Sequence, residues 1–584
     1  GVPAGDAKFN INYLGYKTVS FSVKITAGKT ATKDVVLEEE TNAIDGVVVS
    51  AVVDGQQRAL NQQKNANNFM QIVSSDQMGR FPDLNVAEAL QRVSGVTITR
   101  SRGEGNMVQL RGTPANFTNI NVNGEQIMGT DESGSRSESL DLVPADVLAS
   151  MEVQKTLLPS NDGDAIAGVI NMRTSTARSV KPRVTVDLSS GYNLLREKAP
   201  YNIKAGYSQR FAANRDNPNG RFGIAANVSY YTSFNGYDRL EAQTWKDKKV
   251  KDASGETSKK YVPLDFRYRY QEGTRTRLGT TLTLDWTPNA DTKFVLSAMY
   301  NKRGDDDVRY RNRTRLDKAK NFIEGEDGSL NVDVAQKILQ VTKQDIYTDN
   351  FNITFEGETV LGDWKLDGSV FYSMSHRIAN SYQYGFQTPR WQAGKAATLG
   401  NGTALGKLPK GSIAQIPDYQ SRYLEFNPLA EIGGKRLDDL SYYEFYTLDL
   451  NNNILDGRNL TAKVNASYNY FIGENSSTLS FGAKGKFMHN SKRKSDDRGV
   501  FDSISVNPED KTDLSLSNFL KDEQLSSGFL NGNLSTGFGA APDAVKVHDF
   551  FVNSRDRFNE NKYRTDTGVL SSYYDAREDV VFAY

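Results

Sequence analysis

Reactions driven by a nucleophile, a metal ion or a proton relay need groups that this chain of 584 residues does not gather. It has no cysteine, and His376, His489 and His548 are its only histidines, far apart in sequence, so neither a thiolate nor a histidine-based metal or catalytic centre is expected. No Gly-x-Ser-x-Gly, His-Glu-x-x-His or phosphate-binding loop occurs. The reading is therefore no enzyme, no catalytic residue, no metal ligand set and no cofactor. Asp305-Asp306-Asp307 reads as a solvated turn, with a calcium-binding loop as the other choice. What is left is binding chemistry. Trp391, Tyr419, Tyr423 and Phe426 share one long irregular stretch, where their rings either meet a ligand, by stacking on sugar rings or gripping a peptide, or only pack the stretch onto its support. Ile44, Val47, Val48 and Val49 lie in Ile44 to Ala51, after the acidic run Glu38 to Glu40. That segment either pairs as an added strand with another chain or is the last strand of the N-terminal unit.

The stretch from Phe81 to Thr174 has the texture of a compact α+β unit. Asn85 and Glu88 have N-cap to N3 spacing, Leu90 and Val93 share a helical face, and Gly95 ends the helix. Short extended pieces follow at Val96 to Thr99, Asn106 to Arg111, and Asn119 to Asn123, each closed by turn residues. A second short helix is predicted from Pro144, then a strand at Met151 to Lys155.

Five motifs stand here in order: Arg111-Gly112, Asn123-Gly124, Val143-Pro144, Glu152-Val153-Gln154-Lys155, and Ala167-Gly168-Val169-Ile170-Asn171. The series closely resembles the plug domain of TonB-dependent outer-membrane receptors. Phe81-Pro82-Asp83 and Arg102-Gly103-Glu104-Gly105 resemble a subfamily associated with uptake of oligosaccharides and other complex nutrients. Under this resemblance Ile44, Val47, Val48 and Val49 become the candidate contacts for the energy-coupling protein TonB. Arg111 and Arg173, beside positions facing a barrel, become candidate latches onto acidic residues of its wall.

From about Lys181 the texture changes to long alternating strands. In Leu278 to Trp286 the even positions are apolar and the odd ones small or polar, and Ala462 to Tyr470 alternates as cleanly, with Lys463 on the inward parity. A charged inward residue implies a polar interior. Connections are short at Thr287 to Asp291, Gly357 to Asp363, Asp456 to Asn459 and Ile472 to Ser477, and long at Gly304 to Ala335, His376 to Leu440 and Ser491 to Asn561. One rim of tight turns and one of long loops is the asymmetry of outer-membrane barrels. No apolar run of about 18 residues could form a spanning helix. The mean hydropathy of −0.57 is compatible with a barrel, whose strands meet lipid only at every second residue. The 71 basic and 71 acidic residues cancel, so no global field draws nucleic acid.

About a dozen strands are expected between Lys181 and Tyr584. Twelve strands would enclose a backbone radius of about 12 Å, too small for a plug with a radius of gyration of about 14 Å, whereas about 22 strands give about 22 Å. Twenty-two is also the strand number the resemblance implies, so the sequence is expected to stop near mid-barrel. Residues 1–40 alternate in three predicted strands, and with Leu14-Gly15-Tyr16-Lys17 they resemble the back half of a carboxypeptidase regulatory-like β-sandwich.

The expected fold is mainly β: a transmembrane antiparallel β-barrel of the 22-stranded type, incomplete here, with an α+β plug inside and a partial N-terminal β-sandwich. The expected domains are 1–43 sandwich, 44–75 Ton box-like segment and tether, 76–178 plug and 179–584 barrel. The resemblance implies TonB-dependent transport of an oligosaccharide, peptide or metal chelate across a bacterial outer membrane. Its partners would be TonB, outer-membrane lipid and a surface lipoprotein. A receptor-like barrel serving as a structural subunit of a secretion or insertion assembly is the alternative.

Overall fold

The computed structural model describes residues 5–11, 19–26, 32–36, 50–78, 83, 85–129, 139–214, 217–472, 475–494, 505–506, 514–522, 525, 528–535, 537–559 and 573–584. At the N-terminus β1 (Gly5–Ile11) and β2 (Val19–Ile25) form an antiparallel hairpin in which Phe9 stacks on Phe21. Residues 32–36 form no strand, so the hairpin is the described part of the three strands expected there.

The plug is built around a five-stranded sheet. Its strands are β3 (Met70–Ser74), β6 (Thr118–Val122), β7 (Glu125–Gln126), β8 (Leu148–Gln154) and β9 (Gly168–Thr174), in the order β3-β8-β9-β6-β7. A hairpin of β4 (Val96–Ser101) and β5 (Glu104–Leu110) and the helix α2 (Val86–Leu90) pack beside it. The Asn85 side chain caps α2 by accepting from the Glu88 N–H at 3.1 Å, as its spacing predicts. Pro144 opens only a single 3-10 turn, Ala145–Val147, because strand β8 begins immediately after it. The Ala167-Gly168 motif has a steric reason: Gly168 has φ +137°, and a Cβ there would lie 2.4 Å from the Gln154 carbonyl oxygen of the neighbouring strand. Residues 56–68, within the expected tether, fall largely in the helix α1 (Ser50–Lys64), and β3 belongs to the plug sheet although it precedes the expected boundary at residue 76.

Around the plug stands a wall of ten long strands in one antiparallel meander. They are β10 (Arg183–Ser190), β11 (Tyr201–Phe211), β12 (Phe222–Lys251), β13 (Thr257–Trp286) and β14 (Thr292–Arg315), then β15 (Val334–Leu361), β16 (Trp364–Gln387), β17 (Glu444–Ile472), β18 (Asn475–Lys494) and β19 (Tyr574–Ala583). Each pairs with the next, and among the described residues β10 and β19 do not pair with each other. The wall is thus an arc of barrel, with ten strands where about a dozen were expected. The difference lies in strand length: Gly304, His376 and Asp456 to Asn459, expected in connections, lie inside β14, β16 and β17. Polar residues there are not turns, because they face one another across the sheet.

The outward face of the wall has three zones. Near the tight-turn rim β13 presents Leu282, Leu284 and Trp286, and β16 presents Trp364, Leu366 and Val370, all exposed. Phe222, Trp286, Phe294 and Phe355 stack side by side across four strands with centroids 5.6–6.2 Å apart, an aromatic girdle. This zone is about nine residues tall on β13, the length a bilayer core requires of a tilted strand. A polar belt follows: Glu272, Thr274 and Thr276 on β13, and Lys302 and Asp306 on β14. Above it the same parity turns apolar again, yet it is buried: Phe266, Tyr268, Tyr270, Tyr310, Tyr384 and Phe386 are covered by residues 514–558, including the helix α3 (Ala544–Asn553). Phe529 packs on Tyr268, Phe538 on Tyr270, and Phe519 on Phe386. Strands of 24 to 30 residues therefore reach well beyond a bilayer without leaving their apolar upper faces in water.

Candidate functional site: the seat of the plug

The inward face inverts the outward one. Thr281, Thr283 and Asp285 on β13, Ser297 and Asn301 on β14, Asn350 and Asn352 on β15, Ser373 on β16 and Asn459 on β17 are all buried, and all are polar. The plug closes over them through hydrogen bonds. Met128 N–H donates to Ser373 Oγ at 3.0 Å, and the Asn350 and Asn459 side-chain amides donate to the Met128 and Gln126 carbonyls at 3.3 and 2.8 Å. Thr281 donates to the Val147 carbonyl at 3.3 Å. Gly279 lets the backbones meet: a Cβ there would lie 2.7 Å from the Pro144 ring.

Two charged clusters anchor this seat. In the first, Glu104 at the start of β5 pairs with Arg275 at 2.8 Å and also with Arg277, while Asp141 accepts from Arg303 at 2.5 Å and Arg275 at 3.3 Å. The pairing is reciprocal, since plug residue Arg102 reaches the wall carboxylates Asp305 at 3.1 Å and Asp307 at 2.5 Å. In the second, Lys484 on β18 pairs with Glu125 at 2.7 Å and Asp162 at 2.6 Å, and Lys486 pairs with Asp162 at 3.2 Å and donates to Gln126. Burial alone pushes the Glu104 carboxyl up, but Arg277 and Arg275 more than offset it and hold it below its ordinary range. Burial likewise raises Asp162, and Lys486 and Lys484 bring it below.

The residues singled out from sequence take other positions. Arg173 pairs inside the plug with Glu152 at 3.0 Å, and Glu152 also accepts from Asn171, whose Oδ1 takes the Gly124 N–H. The motif residues therefore build the plug itself, and the wall residue Glu356 acts on Arg173 only through space. Arg111 stands exposed at φ 55°, and no described carboxylate pairs with it. Among the described residues the ion pairs that join plug and wall run through Glu104, Asp141, Arg102, Glu125 and Asp162. Asp305 to Asp307 lie mid-strand in β14, two facing the plug and one outward, and no cluster of three or more possible metal ligands occurs among the described residues.

Trp391 is completely buried and donates its Nε1–H to the Leu437 carbonyl at 3.0 Å, while Tyr419 is 2% exposed and donates to Glu324 at 2.9 Å. Tyr423 and Phe426 are half-buried against the outward upper cluster. A connection as long as 388–443 needs a core of its own, and these aromatics supply it and dock it. Ile44, Val47, Val48 and Val49 lie outside the described residues. One signal in the sequence marks the true anchors: Arg275 and Arg277, Arg303 and Asp305, and Lys484 and Lys486 are charges spaced two apart on the inward parity of otherwise alternating strands.

A polar seat of this kind has a particular energetic character. Intact, its net worth is modest, because water can satisfy the same groups; half-broken, it is costly, because a buried charge is left alone. Such contacts suit a body that must sit firmly and yet be released whole into water. An α+β plug seated on the polar lining of an outward-apolar β-wall is the architecture of a plugged β-barrel. Residues 62–169 match the family model of the TonB-dependent Receptor Plug Domain, and that is what this part of the chain is. Proteins with this plug are receptors and transporters that work with TonB in the outer membrane, rather than enzymes.

Among solved structures the chain is similar to the copper transporter OprC at 12% identity, covering 75% of this chain and 62% of that one with a TM-score of 0.29. It is also similar to the ferric enterobactin receptor PfeA (10% identity, 76% and 73% covered, TM-score 0.32) and to the siderophore receptor PirA from Acinetobacter baumannii (10%, 82% and 90%, TM-score 0.25). The chain thus spans less than two thirds of OprC. No curated protein sequence matches it. The assignment rests on the plug, and these distant structural likenesses carry no part of it.

Proposed function

We propose that this protein is an outer-membrane active transporter, driven through TonB, that carries an oligosaccharide, a peptide or a metal chelate into the periplasm. The observation that supports it is the seat: a plug held to the wall by buried charges and hydrogen bonds that water can replace. Ligand enters from the rim of long connections, above the plug. TonB adds a strand to Ile44 to Ala51, with Val47, Val48 and Val49 as contacts, and pulls. Force passes through α1 to β3, the edge strand of the plug sheet, which among the described residues pairs with β8 alone. An edge strand leaves by breaking one ladder, whereas a central strand must break two. The energy comes from the inner membrane through TonB.

Deleting residues 44–51 is expected to abolish uptake while the outer-membrane level and the melting temperature stay unchanged. Unaltered uptake in that deletion would remove TonB coupling from the proposal.

A further inference from the structure

Above the seat, the inward face of β12 to β14 carries arginines that make no hydrogen bond or ion pair with the plug among the described residues. The register between β13 and β14 runs without a shift from Asp265–Arg315 to Trp286–Phe294, so every second residue shares the face that holds Glu104 and Asp141. Just beyond Asp307, the face becomes basic. Arg269 stands directly opposite Arg311, and Arg267 opposite Arg313. On the other side Arg269 also faces Arg239 of β12. Like charges directly opposite in a sheet are destabilising, and here three lie in one rung.

The internal counter-charge is insufficient. Arg313 is paired with Asp265 at 2.9 Å, Arg269 and Arg239 share Glu241 at 2.9 Å each, and Arg315 reaches Asp317 at 3.2 Å. With Arg267 and Arg309, seven guanidinium groups stand against three carboxylates. Arg311 has only the neutral Gln340 at 2.8 Å, and Arg309 has no hydrogen bond or ion pair among the described residues. The Nε atoms of Arg269, Arg309, Arg311 and Arg315 are buried without a hydrogen-bond partner among the described residues, and that of Arg267 lies 3.8 Å from Asp265, beyond hydrogen-bond reach. A buried donor without an acceptor is costly, and a row of them on guanidinium forks is an arrangement that oxyanions complete.

We propose that this arginine ladder is the subsite for a soluble polyanion bearing phosphate, sulfate or carboxylate groups. Neighbouring strands stand about 4.8 Å apart and same-face residues about 7 Å apart, so the forks form a grid that can take several oxyanions of one molecule, each bidentate. The ladder faces the lumen, not the lipid zone, and begins two residues above Asp307, which holds plug residue Arg102. A polyanion bound there would sit on top of the first charged cluster of the seat. The inference names the cargo class for the transport reading and rests on that reading for its purpose, though its binding is testable alone.

The test is calorimetric titration of the purified full chain in detergent with tripolyphosphate, comparing wild type with the Arg309→Gln/Arg311→Gln double variant, which leaves the Arg269–Glu241 pair intact. The wild type is expected to bind the probe, more weakly as salt rises, and the variant at least about ten-fold more weakly. Melting supplies a second readout. Without probe the variant should melt no lower than wild type, because it removes two charges that have no carboxylate partner among the described residues and relieves the Arg269–Arg311 like-charge contact, and the probe should raise the melting temperature of wild type only. Absence of binding to wild type, equal binding by the variant, or a variant that melts lower without probe would each overturn the subsite, the last by showing that the arginines are structural. None of these touches the uptake test on residues 44–51; conversely, uptake that survives that deletion, with probe binding intact, would overturn the transport reading and leave the subsite standing.

Discussion

Glu104 concentrates the logic of the seat in one residue. Two buried arginines share its carboxylate, and Ser233 donates to it at 3.3 Å. Glu104→Gln leaves both arginines facing a neutral amide, and breaking a buried pair in this way costs about 3–5 kcal/mol. The expected result is a plug whose amides exchange hydrogen far faster while those of β13 do not; unchanged plug protection would show that the backbone contacts hold the seat alone. The pH dependence follows from the depressed carboxyls. A group whose folded pKa lies below its unfolded value stabilises fully above the unfolded value, and the stability is lost as pH falls through the folded one. With Glu104 and Asp162 both held down, their contribution to plug seating should be level from about pH 8 to 5 and weaken only below about pH 4. Melting curves across that range check it, and a loss already complete by about pH 6 would point to other groups.

At the scale of elements, β3 is where force and fold meet. It lies at the edge of the plug sheet, directly after α1, and Val73 stands opposite Met151 of β8. The chain has no cysteine of its own, so a pair introduced as Val73→Cys/Met151→Cys can only bridge with itself, at a Cα separation that antiparallel partners offer and disulfides accept. Oxidised, this variant is expected to bind ligand and fail in uptake; reduced, it should transport again. Full uptake by the oxidised form would mean that the plug moves without β3 leaving β8. Residues 514–558 act at the same scale, capping the upper outward faces of strands too long for a bilayer.

For the molecule as a whole, the outward zones make a prediction about depth. Trp286 and Trp364 belong to the girdle, while Trp391 is fully buried in the core of the 388–443 connection. In bilayers containing lipids brominated near the headgroup, variants keeping only Trp286 or only Trp364 should be quenched, and one keeping only Trp391 should not. Quenching of Trp391, or none at the other two, would place the membrane elsewhere on the wall. The polar lining and the apolar exterior together give one sheet a plug on one side and an apolar surface on the other.

Much of this was legible in the chain itself because it is local. Period-two alternation reports which side of a strand is which, and Asn85 with Glu88 reports a cap, since both depend on neighbours a few residues away. The five plug motifs are local as well, each a turn or a short strand. Pairing over distance is not: Glu104 meets Arg277 across 173 positions and Lys486 meets Gln126 across 360, and although the charges spaced two apart stand out on the wall strands, nothing nearby in sequence says which plug residue each one meets. For the same reason Trp391 and Tyr419 read equally well as ligand faces or as core until the packing of their loop was known. The sequence by itself determined that a plug-like α+β unit precedes a run of two-faced strands. Only the tertiary structure decided which charges seat the plug and which arginines have no carboxylate beside them among the described residues, because ion pairing depends on where strands from distant parts of the chain come to lie side by side.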